Sequence, residues 1–253
     1  MNCSCLNGLV SVVTPAFNCK SVIQRCVESV ANQTVAVKEH IIVDDGSVDG
    51  TGEYLKQLCL KYPHLKVFTQ RNQGAGVARN YAILKAKGKY IAFLDADDCW
   101  LPKKLELQIG FMEENKVDFS YGDYERDYID LPIDRSVFVA PETLTYRDLL
   151  LSCPIGCLTA VYNQNSIGKH YMSEVRQGQD WSLWLKITKS GVVARKYFGV
   201  QAIYNIDEGS LSSNKKKKLI NMYKIYREQP FGHIRSLFLL VCHSFGVIFR
   251  NKR

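Results

Sequence analysis

Two rhythms of hydrophobic and polar positions alternate along the first half of the chain. Short strand-like runs stand at 9–14 (LVSVVT, rich in β-branched residues), 40–47 (HIIVDDGS), 65–70 (LKVFTQ), 89–98 (KYIAFLDADD) and 117–124 (VDFSYGDY). Between them apolar residues recur at helical spacing: Val22, Ile23, Cys26, Val27 and Val30 within 20–31, Tyr54, Leu55, Leu58 and Cys59 within 50–62, and Leu105, Ile109 and Met112 after Pro102. Residues 74–88 read as a further helix, opened and closed by glycine. Near-continuous apolar strands are those buried on both faces. Strand and helix in alternation predict an α/β fold, a mainly parallel central sheet flanked by helices. Ligands of such sheets bind where the strands end, and the polar residues gather there: Thr14–Pro15, Asp44–Asp45 and Asp95–Asp98.

The rhythm breaks at 125–145, a loop or a hairpin. A short helix is expected at 146–152, a strand at 157–162 (CLTAVY), and a helix at 179–191 with Trp181, Trp184, Leu185 and Thr188 on one stripe and Gly191 as its stop. Residues 192–206 are strand-like, as one strand or two. No linker rich in Gly, Ser or Pro divides the chain, so 1–210 is expected as a single domain with halves at about 9–124 and 125–210. A basic, amphipathic helical tail follows at 211–253.

Composition changes this picture little. Apolar residues at 46% and charged residues at 23% exclude a disordered chain. The net charge of +8 allows nucleic acid, anionic lipid or a phosphorylated substrate and selects none. The odd count of nine cysteines, several inside apolar runs, suits buried reduced thiols of a cytosolic protein. Cys153 and Cys157 have no second pair at zinc spacing. The start shows no basic leader, so no signal peptide is expected. No stretch reaches the roughly 18 apolar residues of a spanning helix. The tail joins four consecutive lysines, Lys215 to Lys218, to an apolar segment at 231–249. It can lie in a membrane interface, drawn by anionic headgroups, or pack on the core.

Four clusters carry candidate chemistry. Asp95, Asp97 and Asp98 crowd like charges at a strand end, a costly arrangement without a cation among them. Mg²⁺ or Mn²⁺ suits it, since such ions take one or two carboxylates and fill up with water and phosphate oxygens. Asp44 and Asp45 can accept from a ribose hydroxyl or a base N–H, or can serve a turn capped by Ser47 or Asp49. The stretch NQGAGVARN at 72–80 offers a glycine-rich helix start with Arg79 within reach of a phosphate. It is neither the dinucleotide fingerprint nor a P-loop. Asp180, at the start of its helix, reads as a cap or as a base.

VSVVTPAFN, IIVDDGSVDGT, NQGAGVARNYA and YIAFLDADDCWLPKKLE, in this order, resemble the family 2 glycosyltransferases of GT-A fold. The later GCLTAVY and RQGQDWSLWLK resemble the bacterial branch that builds teichuronic acid, capsule and lipopolysaccharide sugars. The resemblance implies transfer of a sugar from a nucleotide diphosphate donor, UDP above all, with inversion. It implies Asp97 as metal ligand for Mn²⁺ or Mg²⁺, with Asp95 near the metal or ribose. Asp45 would meet the uracil, with Thr14, Pro15 and Phe17 lining the nucleotide pocket and Gly76, Ala96 and Arg79 along the donor. Asp180 would be the general base on the acceptor hydroxyl. Gln179 stands where many relatives have Glu, and Asp98 is an extra carboxylate.

The expected acceptor is a lipid-linked saccharide, met by a cytoplasmic enzyme peripheral to the inner membrane. Two other classes compete. A sugar nucleotidyltransferase would carry a basic glycine-rich loop after the first strand, where this chain has Thr14-Pro15-Ala16-Phe17-Asn18. A non-catalytic nucleotide-binding scaffold would have shed the carboxylates kept here. Nucleic acid is not an expected partner, because the lysines cluster in the tail without interleaved aromatics at the candidate site.

Overall fold

The computed structural model describes residues 3–128, 133–206 and 215–250. In chain order its first half contains β1 (Val10–Ala16), α1 (Ile23–Ala31), β2 (Glu39–Asp44), α2 (Thr51–Lys61), β3 (Leu65–Thr69), α3 (Ala75–Lys85), β4 (Tyr90–Phe93), β5 (Cys99–Trp100), α4 (Lys104–Asn115) and β6 (Phe119–Tyr128). The second half adds β7 (Ser136–Phe138), β8 (Thr143–Leu144), α5 (Tyr146–Leu151), β9 (Val161–Asn163), α6 (Gln164–Ile167), α7 (Gln179–Lys189), β10 (Ala194–Ile206), α8 (Lys215–Arg227) and α9 (His233–Arg250).

The strands form one curled sheet in the order β3-β2-β1-β4-β9-β6-β10-β5, with β7 on β6 and β8 on β10. The β3-β2-β1-β4 half is parallel, as is the long β6–β10 pairing. The short β9 runs antiparallel to both β4 and β6 and splices the halves together. β6 passes straight through residue 124, so the two halves share its length.

Side chains alternate across each strand, and the apolar runs therefore feed two layers. Val13, Ile41, Val43 and Phe93 face α3 and α7, through Ala78, Ala82, Ile83 and Trp184. Val12, Ile42, Ala92 and Leu94 face α1 and α4, through Ile23, Val27, Leu105 and Ile109.

The structure corrects two local expectations and resolves a third that the sequence leaves open. β1 runs on through Pro15 to Ala16. Pairing to β4 has ended at Val13–Phe93, so the missing N–H of Pro15 breaks no ladder bond on that side. CLTAVY is a 3₁₀ turn at Cys157–Thr159 followed by a strand of three residues. The carbonyls of Leu158 and Thr159 accept from Trp100 Nε1 and Gln108 Nε2 instead of joining a ladder. Residues 192–206 give one strand, with register shifts on either side of Val200 and a positive φ at Gly199. The open choice at 125–145 resolves as β6 paired antiparallel with β7.

The tail packs on the core. Met222, Ile225, Tyr226 and Leu239 join the layer that holds α7. The Tyr226 hydroxyl donates to Leu150 O of α5 at 2.5 Å, and α5 itself starts with a reciprocal Thr145–Asp148 capping box. The side chains of 215–218 and the closing residues 251–253, part of the expected basic tail, lie outside the described residues.

Candidate active site

The rim after β1 and β2 is knitted by carboxylates that accept backbone N–H groups. Asp44 Oδ1 takes Ser47 N at 3.0 Å and Ser47 Oγ at 2.5 Å. Asp49 takes Thr51 N and Oγ1 on one oxygen and Lys20 N on the other, so it fills the turn role ahead of α2. Asn18, at a positive φ of 47°, donates its N–H to Ser47 Oγ and accepts from Val48 N. Gly46 has φ 76°, and a Cβ there would stand 3.1 Å from Asn72 N, which favours glycine. The buried Asp45 accepts Gln70 Nε2 and Gln73 N on Oδ1, both at 2.8 Å, and Gly74 N on Oδ2 at 2.7 Å. It therefore fixes the segment that leads into α3. Phe17 is exposed and Pro15 half-buried on this rim.

Thr14 departs from the expected pocket lining. Its side chain is fully buried, with Oγ1 2.9 Å from His40 Nε2. Burial first, and His64 second, push the His40 pKa down to about 3, so the ring is neutral.

After β4 the chain turns, with Asp98 N donating to Asp95 O. The three carboxylates part company there. Asp97 is exposed and Asp95 half-buried. Asp98 is buried and its Oδ1 accepts Asn205 N at 3.0 Å. Burial, with Asp95 and Asp97 nearby, holds its carboxyl well above the usual carboxylate range. Asp98 thus belongs to the scaffold of the turn. Asn205 also donates its side-chain amide to Asp97 O, so β10 clasps the turn. Ala96 is nearly buried between them.

Arg79 is not an open phosphate hook. It is buried, Nη2 donates to Asp95 Oδ1 at 2.6 Å, and Nη1 donates to Gln179 Oε1 at 3.2 Å. Burial opposes its charge, but Asp95 and its neighbours more than restore it, so the pKa stays above the ordinary value. Gly76 of α3 lies against the same glutamine: a Cβ there would stand 2.9 Å from Gln179 Cδ. The first turns of α3 and α7 therefore meet beside the β4 end.

Asp180 sits in that first turn of α7. The cap position is Gly178, with φ 78° and no side-chain cap bond, so Asp180 is not the cap. Burial raises the pKa of Asp180, offset in part by the Trp181 N–H and by Arg79. Asp95 is among its charged neighbours. The site thus brings Asp95, Arg79, Gln179 and Asp180 into one field. Cys153 and Cys157 border it, with thiols raised by burial and by these carboxylates, and so protonated. Sequence reasoning missed Asn205 and His40. Each is a polar residue directly beside apolar strand positions, which is the signal that could have flagged them.

Comparison with known proteins identifies the family. The model of the glycosyl transferase family 2 matches residues 11–162. A putative teichuronic acid biosynthesis glycosyltransferase, TuaG of Bacillus subtilis, is 40% identical over 87% of this chain and 88% of its own. A UDP-Glc:alpha-D-GlcNAc-diphosphoundecaprenol beta-1,3-glucosyltransferase of Escherichia coli, WfaP, is 37% identical over 97% of this chain and 98% of its own. Among solved structures, S. aureus TarS 1-349 in complex with UDP-GlcNAc superposes with a TM-score of 0.67 at 22% identity, over 93% of this chain and 71% of that one. The mannosyltransferase PcManGT of Pyrobaculum calidifontis, solved with GDP-Man and Mn²⁺, gives 0.67 at 15% identity, over 94% and 70%. The chain belongs to the glycosyl transferase family 2 and has the GT-A fold.

Proposed function

We propose that this glycosyltransferase moves a sugar from a UDP-linked donor, with inversion, onto a lipid-linked saccharide in the assembly of a bacterial surface polysaccharide. The acceptor's lipid puts the reaction at the cytoplasmic face of the membrane, with the enzyme peripheral to it. The observation that carries the reading is Asp180. It is a carboxylate of raised basicity beside Asp95, on a helix start locked to α3 through Arg79, Gln179 and Gly76. WfaP is named for UDP-Glc and an undecaprenol-linked acceptor, and TarS was solved with UDP-GlcNAc, which supports the donor and acceptor classes.

In this reading Asp180 accepts the proton of the acceptor hydroxyl as that oxygen bonds to the anomeric carbon and the bond to the diphosphate breaks. The proton ends on Asp180 and the electron pair on the leaving diphosphate. The donor lies along the rim, with the base near Asp45, Pro15 and Phe17 and the diphosphate toward Asp95, Ala96 and Gly76. A hard divalent ion, Mn²⁺ or Mg²⁺, fits the exposed Asp97 and the half-buried Asp95 in donor chemistry. Among the described residues no group of three or more His, Cys, Asp or Glu converges, so these two would hold the ion together with donor oxygens. Bound there, it would offset the charge that builds on the leaving diphosphate.

The test is Asp180→Asn. Transfer is expected to fall on the order of 10³-fold, while UDP affinity in Mn²⁺, by titration calorimetry, stays within about two-fold. The same titration on Asp97→Ala should lose the Mn²⁺-dependent part of UDP binding. Equal loss of transfer and UDP binding in Asp180→Asn would make the residue structural. Absence of UDP binding by the wild type would overturn the donor assignment.

A further inference from the structure

The positive charge of this chain is concentrated. Ten of its 33 Lys and Arg residues, but only Glu228 of its 25 acidic ones, fall within 209–253. That stretch alone exceeds the +8 of the whole chain, and the rest is close to neutral.

α9, in the same stretch, is apolar on two sides. Ser236, Leu239 and His243 are buried toward the core. The opposite ridge of Ile234, Leu237, Phe238 and Val241 is 86%, 52%, 65% and 51% exposed. These positions follow the i, i+3, i+4, i+7 spacing of one helix face. No Asp or Glu occurs after Glu228. Arg235 stands within the ridge's first turn, its guanidinium 4.3 Å from the Phe231 ring centroid. An apolar ridge within so basic a stretch of sequence suits an interfacial helix on anionic lipid, where buried apolar area and headgroup attraction add. A second copy of the chain would instead bring two such basic stretches together, against their repulsion.

We infer that the exposed face of α9, in the basic C-terminal stretch of the sequence, docks this protein on an anionic lipid surface. The inference deepens the reading of a lipid-linked acceptor and takes its purpose from it. The docking layer lies directly against the base-bearing helix. The Trp181 ring, next to Asp180, is 5.2 Å from Tyr226 of α8 and 5.0 Å from His243 of α9. A Cβ on Gly178 would stand 3.0 Å from Ile225 Cδ1. Lipid engagement by α9 therefore holds Asp180 close to the surface from which a lipid-linked saccharide rises.

Full-length protein is sedimented with vesicles of equal parts phosphatidylglycerol and phosphatidylcholine, and with pure phosphatidylcholine. Binding to the anionic vesicles is expected to be at least about ten-fold tighter, and to weaken as salt screens the charge. Leu237→Asp combined with Phe238→Asp should lower it by about ten-fold or more, with UDP affinity and thermal midpoint unchanged. Leu60→Asp, at an 88% exposed site on α2, should leave it intact. Absent binding, equal binding to both vesicle types, or undiminished binding by the double variant overturns the proposal. So does a wild-type dimer in light scattering that the double variant converts to monomer. Vesicle binding that persists while UDP binding fails would sink the donor reading and leave the docking surface standing.

Discussion

The rim after β1 and β2 and the start of α7 hold their polar groups by opposite means. On the rim, Asp44, Asp45 and Asp49 accept from backbone N–H groups of loops that lie near them in space. Asp44 and Asp49 serve turns three and two residues on, whereas Asp45 reaches N–H groups 28 and 29 residues on. The α7 start has no side-chain cap. It is held by Arg79, 100 residues away in sequence, and by aromatic packing from the tail. One edge of the site is bonded by carboxylates to backbone N–H groups of its loops, and the other takes its position from a buried arginine and from packing of the tail. The proposed base stands on the second edge.

Arg79→Ala should separate the two edges most. It strips the half-buried Asp95 of its ion pair and α7 of its tether. Transfer is expected to fall by about 100-fold or more. Because the Arg79 charge favours ionised Asp180, its loss raises that pKa further. The rising limb of the pH–rate profile should therefore move to higher pH. Arg79→Lys keeps charge but not the fork that reaches both partners, and should rescue only part. An unmoved pH limb would mean that Arg79 serves folding alone.

Asp45→Ala probes the loop-bonded edge. It leaves Gln73 N and Gly74 N without their acceptor, at a cost of about 2 kcal/mol in urea unfolding. Asp45→Asn, which retains one acceptor oxygen, should lose less. If Asp45→Ala shifts the pH limb as Arg79→Ala does, the two edges are one unit and the contrast fails.

The smallest effect lies beneath that edge, at His40. Its folded pKa of about 3 is below the ordinary 6.5. The associated stability is present above about pH 6.5 and is lost as pH falls toward 3, because the unfolded state binds the proton first. Against His40→Gln, wild type should lose about 1 kcal/mol between about pH 7 and pH 5.5. Parallel pH curves for the two would remove His40 as the cause.

The parallel frame was readable because its strands are short apolar runs and its helices keep strict spacing. β9 was misread in extent because Leu158 and Thr159 look strand-like, whereas their carbonyls are taken by Trp100 and Gln108 from distant elements. The candidate site was readable as a set of carboxylates at strand ends. Their division of labour was not. Asp98 turns inward only because Asn205, 107 residues on, supplies its N–H. Arg79 looked like a phosphate ligand because helix spacing says where a residue sits and not which buried partner it meets. The tail's two options were not exclusive: one stripe of α9 packs on the core and the other faces outward.

The clasp made by Asn205 also sets an order of events during synthesis. A ribosome delivers residues 10–119, and with them nearly all of the parallel frame, well before residue 205. Until then the turn at 95–98 has a carboxylate with nothing to donate to it, and β10 has not yet entered beside β6. The donor-side turn is therefore completed late, by the last strand of the sheet, and the tail that packs on Trp181 follows later still.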